Sequence, residues 1–125
     1  MIKAIIFDFD GLILDTETPI FRSWQEVYLQ YGCELNLEAW APNLGTEDIF
    51  DPAVHLEGIL GQSLDRSAIR NGRKPREETL IEAESILPGV ETYIAGAKRL
   101  NVKLAVASNS DRNWVIGHLE RLGLM

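Results

Sequence analysis

The sequence predicts an α/β fold in which an all-helical segment follows the first strand of a parallel sheet. Two short apolar runs support this, residues 2–7 (IKAIIF) and residues 102–107 (VKLAVA). A nearly continuous apolar run is typical of a strand buried on both faces of a parallel sheet. Between the two runs the apolar residues follow helical spacing, so the expected order is strand, helices, strand, helix.

The first strand is predicted to end at Asp8, and Gly11 breaks the pattern that precedes it. A helix is predicted from Pro19 to Tyr31. Its large apolar residues recur at spacings of three and four: Phe21, Trp24, Val27, Tyr28 and Tyr31. Pro19 suits the first turn of this helix, and Gly32 suits its C-terminal exit.

Three further helices are predicted to begin at residues whose side chains can cap a helix: Asn36, Asp51 and Asp65. Gly72 and Pro75 should interrupt the third of them. It should then resume and end near Ile86. Residues 16–86 are therefore predicted to form an all-helical domain.

The remaining elements return to the α/β pattern. Leu87-Pro88-Gly89 predicts a turn, and residues 90–100 predict a helix that leads into the second strand. Ser108-Asn109-Ser110 predicts a loop, and Asp111 should cap the final helix. Residues 1–15 and 87–125 are thus predicted to form one α/β core.

Composition excludes some classes of protein. The 125 residues carry a net charge of −7, which gives no general attraction to nucleic acid. No run approaches the length of a membrane-spanning helix, so we expect no membrane partner. A single cysteine, Cys33, rules out an internal disulfide and fits the cytoplasm.

The candidate chemistry lies where the first strand ends. Asp8 and Asp10 are two residues apart, so an extended backbone points both side chains to the same side. Two carboxylates so close repel each other unless a cation lies nearby. Mg²⁺, which prefers oxygen ligands, would relieve that repulsion and also neutralise a phosphate.

These residues resemble a known family. Asp8-x-Asp10-Gly11-x-Ile13 resembles the first motif of the haloacid dehalogenase-like superfamily, and Ser108 after a second strand resembles its second motif. Residues 8–17 (DFDGLILDTE) and 87–90 (LPGV) resemble its subgroup related to β-phosphoglucomutase and phosphoglycolate phosphatase. The resemblance implies a Rossmann-like core with an all-helical cap at residues 16–86.

The resemblance also implies roles for individual residues. Asp8 would attack phosphorus and form an aspartyl-phosphate. Asp10 would act as general acid and then as general base. The Asp8 carboxylate and the Asp10 carbonyl would help to hold Mg²⁺. Ser108 and the backbone around Asn109 would bind the phosphate, and Gly11 would let the chain turn past the metal.

The family's third-motif lysine and the acidic pair that completes its magnesium site belong after a later strand, beyond Met125. The core is therefore expected to be incomplete, lacking its C-terminal half. The chain alone is expected to have little activity and weak magnesium affinity, and to self-associate through an uncovered strand edge.

Alternatives remain open. The expected substrate is a small phosphorylated metabolite, which the parent protein would either hydrolyse or, as a mutase, rearrange; an inactive fragment is the third reading. An EF-hand calcium loop from Asp8 fails at Leu12, Ile13 and Pro19. Asp15 and Glu17, at the start of the helical segment, are more weakly indicated as hinge residues. Arg22 and Glu47 are more weakly indicated as residues that line the substrate side of the cap.

Overall fold

The computed structural model describes residues 1–43 and 50–125. Their backbone contacts divide the chain into two compact units. Residues 1–16 and 84–125 form one, which we call the α/β unit. Residues 17–83 form the other, which we call the helical unit. No helix in the described ranges is long and apolar enough to cross a bilayer.

The α/β unit is built around two strands that pair in parallel. Strand β1 spans Ala4–Asp8 and strand β2 spans Lys103–Ala107, with Ala4 opposite Lys103 and Asp8 opposite Ala107. The predicted parallel pairing is therefore confirmed. The first strand begins later than predicted. It ends at Asp8, so this carboxylate lies at the carboxyl end of the sheet.

The predicted burial of both strands is wrong for most of their residues. Phe7 is buried and Ile5 is half-buried on one face, but Ile6 on the other face is 67% exposed. In β2 only Leu104 is half-buried. The apolar runs predict strands that need cover on both faces, whereas the sheet of the described residues has two strands and one face without a covering layer.

The helices of each unit mostly begin and end where the sequence predicts. The helical unit contains α1 (Glu17–Gln30), α2 (Leu37–Trp40), a short 3₁₀ turn (Ala41–Asn43), α3 (Pro52–Leu60) and α4 (Arg66–Glu82). The α/β unit contains α5 (Val90–Arg99) and α6 (Arg112–Arg121). The predicted side-chain caps all form, on Asn36, Asp51, Asp65 and Asp111.

The interruption predicted in α4 is wrong. The helix continues through Gly72 and Pro75 and ends at Glu82, short of Ile86. Proline removes one intrahelical hydrogen bond, but contacts with α1 hold the chain on both sides of it. Before the proline, Arg73 donates to the Ser23 hydroxyl at 2.7 Å. After it, the Arg76 guanidinium donates to the Glu26 carboxylate at 2.9 and 3.0 Å.

Candidate active site

The carboxylate of Asp8 stands at the carboxyl end of β1, directly opposite the last residue of β2. The residue is exposed, and one of its oxygens accepts a hydrogen bond from the Phe9 backbone N–H at 2.7 Å. Parallel strands present their carboxyl ends at one edge of a sheet, where open α/β folds bind ligands. The loop after β2 therefore begins beside Asp8.

A tight turn follows Asp10. Gly11 has a φ of +79°, a conformation that side-chain-bearing residues rarely adopt. Its N–H donates to the Leu14 carbonyl at 2.8 Å, and the Ile13 N–H donates to the Phe9 carbonyl at 3.0 Å. The space around Gly11 is open, so the backbone conformation is the reason for a glycine here.

Phe9, between the two aspartates, fixes this segment to the unit's core. Its side chain is completely buried. The ring packs edge-on against Trp114 of α6, with ring centres 5.6 Å apart, and lies 6.2 Å from the ring of His118. Neighbouring residues of an extended chain point to opposite sides, so burial of Phe9 directs Asp8 and Asp10 away from the core.

The Asp10 carboxylate accepts hydrogen bonds from hydroxyl groups on both of its oxygens. Thr16 donates to Oδ1 at 2.8 Å. Ser108 and Ser110 donate to Oδ2 at 3.2 Å and 2.7 Å. Because the two serines lie 98 and 100 residues further along the chain, this arrangement depends on the pairing of β1 with β2.

The two serines are also linked to each other. The Ser110 backbone N–H donates to Ser108 Oγ at 3.0 Å. Ser108 Oγ therefore accepts from Ser110 while its own hydrogen points to Asp10. Asn109, between them, is exposed.

The structure thus brings together Asp10, Ser108 and the turn at Gly11, with Asp8 at the same edge of the sheet. Sequence reasoning missed Thr16 and Ser110. The Ser-x-Ser spacing after the second strand was the available signal, since it places two hydroxyls in one short loop. Of the weaker candidates, Asp15 is half-buried, Glu17 begins α1 and Arg22 is exposed. Glu47 lies outside the described residues.

A groove of about 540 Å³ lies beside the hydroxyl cluster, within the α/β unit. The polar or charged residues of its lining are Lys98, Ser108, Ser110 and Arg112, and the other lining residues are apolar, including Phe7 and Val115. Arg112 carries a guanidinium, which donates hydrogen bonds to anionic groups.

The donors present fit part of a magnesium shell. In the described ranges, no group of three or more His, Cys, Asp or Glu side chains is arranged to hold a metal. Asp8 has an exposed carboxylate, the ligand type that Mg²⁺ prefers, and Mg²⁺ commonly keeps several waters beside one or two carboxylates. Both oxygens of Asp10 already accept hydrogen bonds, so its backbone carbonyl is the better candidate ligand.

Comparison with known proteins gives a consistent match over nearly the whole chain. The model of the family described as haloacid dehalogenase-like hydrolase matches residues 5–125. The "Putative phosphatase YhcW" of Bacillus subtilis is 44% identical over 99% of this chain and 56% of its own length. The chain therefore spans just over half the length of this relative.

Two more distant matches agree. The "Phosphorylated carbohydrates phosphatase" of Thermotoga maritima is 28% identical, over 98% of this chain and 56% of its own. The solved structure of a "putative beta-phosphoglucomutase" from Thermotoga maritima superposes with a TM-score of 0.77 at 22% identity, over 98% of this chain and 57% of that chain. At that identity the likeness shows a shared fold.

Proposed function

The chain belongs to the haloacid dehalogenase-like hydrolase family, and on that premise we propose that it carries the nucleophile of a magnesium-dependent phosphatase for small phosphorylated metabolites. Its phosphatase-named relatives support this class of reaction. The observation that carries the proposal is the convergence of Asp10 with Ser108 and Ser110, beside Asp8 at the carboxyl edge of the sheet.

In the proposed first step, a carboxylate oxygen of Asp8 attacks phosphorus. The bond from phosphorus to the leaving oxygen breaks, and Asp10 gives that oxygen its proton. The product alcohol departs and an aspartyl-phosphate remains on Asp8. The exposed position of Asp8 at the strand end allows a phosphate to approach it.

In the second step, water attacks the same phosphorus. Asp10 takes a proton from that water, the bond between phosphorus and Asp8 breaks, and inorganic phosphate leaves with the carboxylate restored. In a mutase the attacking group would be a sugar hydroxyl instead of water. The two reactions therefore differ only in the acceptor.

The remaining residues bind the phosphate. Ser108 and the backbone around Asn109 donate hydrogen bonds to its oxygens, as oxyanion donors do. Gly11 allows the turn that keeps the Asp10 backbone near Asp8. Bound Mg²⁺, held by the Asp8 carboxylate and the Asp10 carbonyl, would neutralise charge on the phosphate.

The test uses the full-length protein with an aryl phosphate and excess Mg²⁺. We expect release of inorganic phosphate, with a transient acyl-phosphate that hydroxylamine traps on Asp8. Asp8→Asn should remove both signals, whereas Glu91→Gln, a matched change at an exposed acid of the same unit, should alter neither. Turnover retained in Asp8→Asn would contradict the proposal. A sugar phosphate that is isomerised without release of phosphate would identify a mutase.

A further inference from the structure

The Ser108 hydroxyl has two possible hydrogen-bond acceptors, Asp10 and the substrate phosphate. It has a single hydrogen, which points to Asp10 Oδ2 at 3.2 Å. In the proposed function the same hydroxyl donates to the substrate phosphate. One hydrogen cannot serve both acceptors fully, so a phosphate that recruits Ser108 takes this bond away from Asp10.

Ser110 has no such conflict. Its hydroxyl donates to the same oxygen of Asp10 at 2.7 Å, the shorter of the two bonds. Its backbone N–H separately fixes Ser108 Oγ at 3.0 Å. Thr16, whose side chain is buried, holds the other oxygen of Asp10 at 2.8 Å. Asp10 therefore keeps one hydroxyl on each oxygen when Ser108 turns to the phosphate.

We propose that Ser110 is the positioning residue that keeps Asp10 aimed at the leaving oxygen while Ser108 binds phosphate. This inference rests on the proposed function, because it requires Asp10 to be the general acid. A carboxyl group has roughly four lone-pair sites. The bonds from Thr16 and Ser110 leave sites free for the proton that Asp10 transfers.

Ser108 and Ser110 therefore have different roles, although they lie only two residues apart. Ser108 acts on the phosphate, which is common to every substrate. Ser110 acts through Asp10. The proton that Asp10 donates accelerates the reaction more when the leaving oxygen is more basic. Nitrophenolate leaves readily without a proton, whereas the more basic phenolate of unsubstituted phenyl phosphate depends on general acid catalysis.

The experiment measures kcat/KM of the full-length protein for a series of ring-substituted phenyl phosphates, which share one framework and differ in the basicity of the leaving oxygen. This constant covers only the steps through phosphoryl transfer to Asp8, so the later attack of water does not enter. Ser110→Ala should lower it about ten-fold for phenyl phosphate, a part of the 10²–10⁴-fold that a general acid supplies. The loss for p-nitrophenyl phosphate should be about two-fold or less.

Two variants complete the test. Ser110→Thr keeps a hydroxyl and should restore the wild-type dependence on the leaving group. Ser108→Ala should slow both substrates by a similar factor. Ser110→Ala retains the backbone N–H that fixes Ser108, so the change removes the hydroxyl alone.

The outcomes distinguish the two claims. Equal losses on both substrates in Ser110→Ala, or no loss on either, would overturn the role of Ser110 and leave the phosphatase intact. A wild-type protein without turnover, or an active Asp8→Asn, would overturn the proposed function and this inference with it.

Discussion

The two units of this chain are stabilised in different ways. The helical unit has a continuous apolar core made of side chains that are at most 7% exposed: Trp24, Val27, Tyr28, Leu35, Trp40, Ala53 and Leu56. In the α/β unit, by contrast, the sheet leaves Ile6 67% and Val106 37% exposed. The Asp10 carboxylate of this unit accepts hydrogen bonds from three hydroxyl groups.

The helical unit also buries charge. Arg73 and Glu77 form an ion pair with both side chains less than 10% exposed. The Arg73 guanidinium lies 4.7 Å from the centre of the Trp24 ring and donates to Ser23. A buried ion pair needs such additional partners to offset its lost hydration.

The candidate chemistry therefore lies in the α/β unit, and the continuous apolar core lies in the helical unit. Substitutions that affect activity should therefore change stability little, and the largest stability effects should come from residues without a role in the site.

The largest expected effect is on activity alone. Asp8→Asn should abolish turnover because an amide is not a competent nucleophile, and Asp10→Asn should cost about 10²–10⁴-fold. Since Asp8 is exposed, its substitution should change the free energy of unfolding by less than about 0.5 kcal/mol. Steady-state kinetics and chemical denaturation of the same samples check both parts. A large loss of stability in Asp8→Asn would contradict the expectation that the active-site residues contribute little to stability.

The next effect is on stability alone. Leu56→Ala, in the completely buried part of the helical core, should lower the free energy of unfolding by about 2–5 kcal/mol. In the 125-residue chain, Ile6→Ala should change it by about 0.5 kcal/mol or less, because that side chain is mostly exposed. Chemical denaturation followed by far-ultraviolet circular dichroism, which reports the helices of both units, checks this. Equal losses in the free energy of unfolding for Leu56→Ala and Ile6→Ala would contradict this expectation.

Alkaline pH should weaken the helical unit. Burial, with the nearby Asp51 carboxylate, raises the pKa of Tyr28 from 10.0 to about 12. The folded state thus retains a proton that the unfolded state loses, so stability present below pH 10 falls as the pH rises to 12. The loss should reach about 2–3 kcal/mol.

The measurement is denaturation between pH 9 and 12. Tyr28→Phe should remove this pH dependence, although it also removes the hydrogen bonds of the hydroxyl to Pro52 and His55. Tyr93→Phe, at an exposed tyrosine of the α/β unit, should leave it in place. An unchanged alkaline loss in Tyr28→Phe would assign it to another group.

The smallest effect concerns a surface pair of the helical unit. Hydrogen bonds from the Arg66 guanidinium lower the pKa of Glu57 to about 2, and the two groups meet at 2.8 Å. The pair's contribution is present above pH 4.5 and is lost as the pH falls towards 2. Arg66→Ala should return the pKa of Glu57 towards 4.5 in a carboxyl NMR titration. Arg99→Ala, in the other unit, should not.

Local signals were sufficient for most of the secondary structure. A capping aspartate or asparagine acts on residues two or three positions away, so Asn36, Asp51 and Asp111 located the helix starts correctly. The family and its α/β fold were also recognised correctly from residues 8–17, as the family match over residues 5–125 confirms.

Features that depend on distant contacts could not be predicted in this way. Pro75 is a strong helix breaker by local rules, but contacts of Arg73 and Arg76 with α1 override them. Ser110 binds Asp10 only because β1 and β2 pair. The exposure of Ile6 depends on what covers the sheet, which the residue's own neighbours do not reveal. The roles of Asp8, Asp10, Gly11, Ser108 and Asn109 remain predictions.

Phe9 is buried, whereas Asp8 is exposed and Asp10 is half-buried. Random variants at these three positions should therefore give different results in assays of growth and of cellular abundance. A selection for growth would report residues 8, 9 and 10 as one intolerant stretch. A measurement of cellular abundance would divide it, because variants of Asp8 would accumulate normally while polar variants of Phe9 would be degraded. The middle residue would then be scored as structural and its neighbours as functional.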